Sequence, residues 1–186
     1  MHSSEIETEI KFIVNDFNSI RKKLKKLKGK LLEKGFEYTQ LYDTIDQKLR
    51  NEKKLLRIRK HGKKFIIGYK KKIQGNQEFK QEQEIEFELN EKHVHKLEKI
   101  LPELGFQKYW KYEIKFETWK LNGCLLDLDT LPFIQVLEIE GTEKNIQKTA
   151  ELLNLAWSES STKNYRQLYE EWLKSEGQKW QDCIFK

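Results

Sequence analysis

Cysteine is almost missing from this chain. Cys124 and Cys183 stand alone, with no CxxC spacing and no histidine nearby, so neither a disulfide framework nor a zinc site is indicated. Proline is equally scarce at two residues, and no Pro/Ser-rich linker or low-complexity tract divides the chain. No stretch approaches the ~18 apolar residues of a membrane-crossing helix. The first twenty residues carry Glu5, Glu7, Glu9, Lys11 and Asp16 and hold no apolar signal-peptide core, so a soluble cytoplasmic protein without membrane contact is expected.

What is present argues for a packed fold. Ten Phe, seven Tyr and five Trp among 37% hydrophobic residues are too rich for disorder. A length of 186 residues suits one domain with a sizeable core, and a single domain over 1–186 is expected. The net charge of +6 allows an anionic partner without separating nucleic acid from nucleotide or polyphosphate. Much of the excess is local: KKLKKLKGK at 22–30 interleaves with Leu24, Leu27, Leu31 and Leu32 as an amphipathic helix with a solvated basic face.

Two segments 75 positions apart read alike, EIKFIVND from Glu9 and EIEFELNE from Glu84. Each is an alternating strand running into a helical pattern, Phe17 to Lys34 and Lys92 to Leu104, that ends at a Gly-Phe pair (Gly35-Phe36, Gly105-Phe106). Strands then follow in both halves: Glu37 to Ile45, Leu55 to Lys60 and Lys64 to Lys71, then Tyr109 to Lys120, Cys124 to Asp129 and Val136 to Gly141. Turn signals fall between them at His61-Gly62, Gly75-Asn76 and Asn122-Gly123. Helical patterns at 143–155 and 163–174 close the chain. The reading is an α+β fold of about eight largely antiparallel strands, internally duplicated, with pseudo-repeats over about 5–75 and 80–141.

Every strand has one charged and one apolar face. Glu5, Glu7, Glu9 and Lys11 alternate with Ile6, Thr8, Ile10 and Phe12; Glu82, Glu84, Glu86 and Glu88 alternate with Ile85, Phe87 and Leu89. Arg57 and Arg59, Asp127 and Asp129, and Glu138 and Glu140 alternate with leucine and isoleucine in the same way. An open sheet with its charged face in solvent would satisfy this alternation, but stacked like charges on one strand cost stability. A sheet closed into a barrel, apolar faces outward under helices and charges inward, also satisfies it. Such a lumen would have to hold water, metal and a charged ligand, since dry burial costs several kcal/mol per ion, of order.

Specific residues narrow the choice. Glu7-Thr8-Glu9-Ile10-Lys11 forms an ExExK signature on the first strand. In order along the chain follow Arg57-Ile58-Arg59, a strand lysine at Lys70 or its parity-mate Lys72, Glu84-Ile85-Glu86, Lys115 in EIKFETW, Asp129 in LDLDT and Glu138-Ile139-Glu140-Gly141. Together these resemble the CYTH superfamily, the triphosphate tunnel metalloenzymes, over roughly residues 5–170. The pattern departs from the family where Lys115 stands in place of a frequent arginine, and at the turn Leu131 to Gln135, which lacks the frequent glycine. The tail beyond Lys174 lies outside the resemblance.

The resemblance implies a closed antiparallel eight-stranded barrel with a charged interior and flanking helices, a small-molecule triphosphate bound inside, and Mg²⁺ or Mn²⁺ as cofactor. On that footing Glu7, Glu9, Glu138 and Glu140 are expected as main metal ligands, with Asp129, Glu84 and Glu86 as further ligands or water-orienting groups. Lys11, Arg57, Arg59, Lys70 and Lys115 are expected to grip phosphate oxygens, and Glu7, Glu9 and Lys11 to form the catalytic core. An acidic side built from the first and last strands would face a basic side around Arg57, Arg59 and Lys70. His61, His93 and His95 read as surface residues, and Tyr112, Trp119 and the Tyr109-Trp110 pair as packing under helices. The implied activity is hydrolysis of inorganic tripolyphosphate or a nucleoside triphosphate. Cyclisation of ATP in the manner of class IV adenylyl cyclases, thiamine triphosphate hydrolysis, and metal-free polyphosphate or RNA binding are the alternatives. Nucleic acid is disfavoured as partner by the acidic strands, and a second copy of the chain is an allowed one.

Overall fold

The computed structural model describes residues 5–186; the side chain of Glu5 lies outside the described set. Each half runs β-α-β-β-β. The first comprises β1 (Glu5–Ile13), α1 (Phe17–Lys26), β2 (Lys30–Thr44), a one-turn α2 (Lys48–Asn51), β3 (Lys54–His61) and β4 (Lys64–Lys72). The second comprises β5 (Lys80–Leu89), α3 (Glu91–Glu103), β6 (Phe106–Leu121), β7 (Cys124–Thr130) and β8 (Gln135–Glu140). After these come α4 (Glu143–Leu152), a two-residue β9 (Ser160–Ser161) and α5 (Tyr165–Ser175).

All strand pairings are antiparallel, in the order β5-β4-β3-β2-β6-β7-β8-β1, and β1 pairs again with β5, closing an eight-stranded barrel. β1 manages both neighbours because its N-terminal half pairs with β5 (Glu9 opposite Lys80) while its C-terminal half pairs with β8 (Lys11 opposite Glu138). β9 continues the β5 edge, opposite Lys11 and Phe12. Local chemistry supports the joints. Asn122 (φ 51°) and Gly123 (φ 74°) form the two-residue hairpin turn between β6 and β7, where both positions must be left-handed. Asp16, Asn90, Thr142 and Asn164 cap the N-termini of α1, α3, α4 and α5.

Apart from β6, which turns Tyr112, Ile114 and Phe116 to the lumen and its charged residues outward against the expected alternation, the apolar strand faces point outward, under the helices. Ile10, Phe12, Leu126, Leu128, Leu137 and Ile139 meet Phe17, Ile20 and Leu24 of α1 and Ile146, Ala150 and Leu153 of α4 in one cluster. α3 covers the β2-β3-β4 side through Val94 and Leu101. Each aliphatic side chain buried this way contributes about 1.5–3 kcal/mol. With the apolar faces so used, the charged faces have only the lumen left to them.

One helix differs from expectation. The helical spacing of leucines predicts α1 through Lys34, but the helix stops at Lys26, Lys28 turns left-handed (φ 60°), and residues from Lys30 belong to β2. Pairing with β6 from Lys30 opposite Lys120 to Thr44 opposite Phe106 overrides the local pattern, and Leu31 and Leu32 become partly exposed strand residues. Gly35 is accordingly not a helix cap. It is the strand position facing Phe116, whose ring carbon would stand 3.1 Å from a Cβ there. Gly105 does end its helix, at φ +85°.

The tail is part of the barrel wall. β6 and β7 are in register only at Lys115 and from Thr118 to Leu121, leaving β6 around Tyr112 without a neighbour on that side. Residues after α5 fill the seam: the Cys183 amide donates to the Lys111 carbonyl and the Glu113 amide to the Cys183 carbonyl, each at 3.0 Å. Trp180 packs on Trp110 and Tyr169, and Cys183 is fully buried.

Candidate active site

Alternation along β1 directs Glu7, Glu9 and Lys11 into the lumen, with Glu9 and Lys11 each 2% exposed. The neighbouring strand supplies Glu138, whose Oε2 lies 2.7 Å from the Lys11 ammonium; Lys11 also pairs with Glu9. Lys80 reaches Glu9 at 3.0 Å and Glu82 at 2.8 Å, and Lys70 pairs with Glu7 and stands 3.3 Å from Glu84. One carboxylate oxygen from each of Glu7, Glu9 and Glu138 lies within 4.8 Å of the others. Three converging carboxylates suit a hard divalent cation such as Mg²⁺ or Mn²⁺, which is bound through oxygen.

The basic strand is paired too. Arg57 donates to Glu84 at 3.1 Å, and Arg59 to Glu86 at 3.0 Å. Both guanidinium groups keep a buried Nε–H with no protein partner, so the lumen retains unused donors for an anion or water. Glu84 and Glu86 are therefore arginine partners, and the structure does not bring them, Asp129 or Glu140 into the Glu7–Glu9–Glu138 cluster. Asp129 instead accepts from the Tyr165 hydroxyl, 2.5 Å away, and Glu140 sits nearby, half-buried.

Charge crowding shifts the acids in opposite directions. Burial would raise Glu9, but Lys11, Lys80 and Lys70 outweigh it and hold its carboxyl well below the usual range. Glu138 rises to about 8, first through burial and then through the Glu9 charge, against the pull of Lys11. Glu140 rises to about 7 by burial and the neighbouring Glu7, and Asp129 rises well above the normal range by burial, Asp127 and Glu138. The protein alone thus supplies too little positive charge for this end of the lumen, a deficit that a cation would offset.

Three placements differ from the sequence reading, those of Lys115, His61 and Tyr112, and one open choice is decided. Lys115 points out of the barrel: it lies between Ile114 and Phe116, which line the lumen, so strand parity puts it on the exposed face, 4.3 Å over the Phe185 ring. It is no part of the lumen. Lys70 is buried inside while Lys72 is exposed at the rim, which decides between the two. His61, beside a turn glycine, is nonetheless held at the lumen end, its ring nitrogens 2.9 Å from Glu37 and 3.0 Å from Glu33 and its ring stacked on Phe116 at 4.0 Å. Tyr112 likewise lines the lumen, whereas Trp119 packs under helices and His93 and His95 are exposed, as expected.

Sequence reasoning passed over Lys80, Glu37, Asp127 and Tyr165. Parity could have found Lys80, which shares the face of Glu82 and Glu84, and Asp127, which shares that of Asp129, whereas Glu37 shares its face with Thr39 and Leu41. Tyr165, on a helix, carried no such signal. The lumen opens as two cavities. One of about 670 Å³ is rich in acids, including Glu7, Glu37, Asp127, Asp129 and Glu140; the other, of about 250 Å³, is ringed by Arg50, Lys53, Lys54, Lys72, Lys80 and Arg166. Acid and base thus separate along the tunnel axis. The expected opposition of walls is not seen, because Arg57, Arg59 and Lys70 each sit against their own carboxylates.

A closed antiparallel barrel with apolar faces outward and a lumen of paired acids and bases defines a tunnel protein. Among known proteins the same arrangement recurs: a family model for the CYTH domain matches residues 5–168, and the chain belongs to that family. It is 29% identical over 150 residues, 80% of this chain and 83% of the relative, to a Methanocaldococcus jannaschii protein named as a candidate adenylate cyclase. A Vibrio parahaemolyticus structure, also named as a candidate adenylate cyclase, superposes with a TM-score of 0.74 at 15% identity, covering 90% of this chain and 99% of that one. A Hippeastrum protein described as having a dominant triphosphatase activity superposes with a TM-score of 0.56 at 17% identity, covering 92% of this chain and 88% of that one. At these identities the two structures share the fold. No helix among the described residues is long and apolar enough to cross a membrane.

Proposed function

We propose that the protein hydrolyses a triphosphate compound, inorganic tripolyphosphate or a nucleoside triphosphate, inside the barrel with the help of Mg²⁺ or Mn²⁺. The observation that carries this reading is the convergence of Glu7, Glu9 and Glu138 beside lumen cations that still have donors to spare. These three carboxylates would hold the metal, which when bound supplies charge neutralisation and Lewis-acid polarisation of a phosphoryl oxygen. Lys11, Lys70, Arg57 and Arg59 would grip the phosphate oxygens, stabilising charge as it shifts during phosphoryl transfer. Lys11 and Lys70 pair with these same carboxylates. Lysines turning from carboxylate to phosphate and cation binding at the vacated oxygens are then mutually reinforcing events.

A second reading, cyclisation of ATP to cyclic AMP with release of pyrophosphate, is supported by the name of the archaeal relative. The same lumen serves both, with water or the ribose 3′ oxygen as the attacking group. Hydrolysis is preferred because it asks only for the cation cluster and the phosphate grip. The test is incubation with tripolyphosphate, ATP and thiamine triphosphate with Mg²⁺ or Mn²⁺, scoring phosphate, pyrophosphate and cyclic AMP. Orthophosphate from tripolyphosphate or ATP is expected; cyclic AMP with equimolar pyrophosphate would replace this reading with the second.

A further inference from the structure

The two cavities meet at a waist formed by Arg57, Lys70, Tyr112, Glu138 and Tyr165, the residues that line both. Four of these stand on barrel strands. Tyr165 does not: it is the first residue of α5, held there by the Asn164–Gln167 capping box. Its ring lies 5.2 Å under the Lys11 ammonium and meets Tyr112 edge-on at 6.0 Å. Its hydroxyl stands 2.5 Å from Asp129 Oδ2 and 3.0 Å from Glu138 Oε2. Lys11 addresses that same Oε2, at 2.7 Å. Lys11 therefore holds one oxygen of Glu138, the Tyr165 hydroxyl stands against the same oxygen with its single proton shared between Asp129 and Glu138, and the carboxylate cannot rotate without giving up both contacts.

We propose that Tyr165 is a positioning residue for Glu138, fixing the carboxylate so that its other oxygen is presented to a divalent cation shared with Glu7 and Glu9. The assignment rests on the reading of these three acids as metal ligands. A ligand's hydrogen-bonded support orients it and contributes to metal affinity. It also gives α5, which is no part of the barrel, a direct link to the centre.

Tyr165→Phe removes one oxygen and leaves the ring in place against Tyr112 and Lys11. Calorimetric titration with Mn²⁺, in the absence of any triphosphate, should show affinity weakened on the order of tenfold. Turnover of tripolyphosphate should fall at limiting Mn²⁺ and recover to within about twofold at saturating Mn²⁺, with KM for tripolyphosphate little changed. A hydroxyl that served only stability would lower the melting temperature without moving the metal affinity. Equal Mn²⁺ affinities in wild type and variant would overturn the role of Tyr165 while leaving the metal site standing. Wild type that binds no Mn²⁺ would overturn both.

Discussion

At the scale of single residues, a substitution in this lumen acts through its charged neighbours. Glu9 sits between Lys11 and Lys80 and belongs to the proposed metal cluster. Glu9→Gln should weaken Mn²⁺ binding by at least about 100-fold. It should also destabilise the metal-free protein, by less than the about 3–5 kcal/mol of breaking a dry buried pair, since the lumen is wide enough for water. Calorimetry and thermal melts read the two effects separately. Lys115→Ala is the contrast: a side chain outside the barrel should leave kcat/KM within about twofold, whereas Arg57→Ala should reduce it on the order of a hundredfold. Equal losses in the two would mean that the lumen has been assigned to the wrong face.

His61 and Glu37 make a pH-dependent pair at the acidic end. Burial raises Glu37, but the His61 hydrogen bond and the charges of Arg59 and Arg57 outweigh it and bring it to about 2. His61 is raised, first by its hydrogen bond to Glu37 and then, against desolvation, by that to Glu33. A depressed carboxyl contributes stability above its unfolded value near 4.5 and loses it as pH falls toward 2. A raised imidazole contributes below its unfolded value near 6.5 and loses it as pH climbs through the folded one. The stability gap between wild type and His61→Ala should therefore peak between about pH 4.5 and 6.5 and shrink on either side. Denaturant unfolding across pH measures it, and a gap that keeps growing above neutrality contradicts the pairing.

At the scale of elements, the tail is the least conventional part of the wall. Truncation after Gly177 removes the Cys183 backbone bonds to Lys111 and Glu113 and uncovers Trp110. Two lost backbone bonds and the burial of Cys183 and Trp180 come to about 2–4 kcal/mol. For a chain of this size the melting temperature should fall by about 5–10 °C. An unchanged melt would show that β6 needs no partner along this edge. Gly35 belongs to the same scale. Gly35→Val would drive a side chain into the Phe116 ring that stacks on His61, so a strand glycine here serves the aromatic layer rather than a turn.

At the scale of the whole molecule, the lumen is a single electrostatic system. Cation and polyphosphate should stabilise one another, because lysines that leave Glu7, Glu9 and Glu138 are the ones that meet phosphate. Ligands that bind only the folded state raise the melting temperature by mass action. The rise with Mn²⁺ and a non-hydrolysable triphosphate together should exceed the sum of the two separate rises. Strict additivity in a thermal-shift experiment would argue that the two sites are independent.

The alternation of charge and apolar residues in EIETEIKF, LLRIRK and VLEIE by itself determined that each of these strands has a wet and a dry face, and the ordered ExExK, RxR and ExE motifs pointed to the family whose model matches residues 5–168. Period-two patterns survive folding because a pleated strand has only two faces. What tertiary structure alone decided was non-local. The long β2–β6 pairing turned the end of a helical pattern into strand, the tail entered a seam left by β6 and β7, and α5 delivered Tyr165 to the waist. Parity, not residue type, excluded Lys115 and admitted Lys80. Nor could sequence order reveal that acid and base part along the tunnel axis, since that depends on register between strands far apart in the chain, which only closure of the barrel sets.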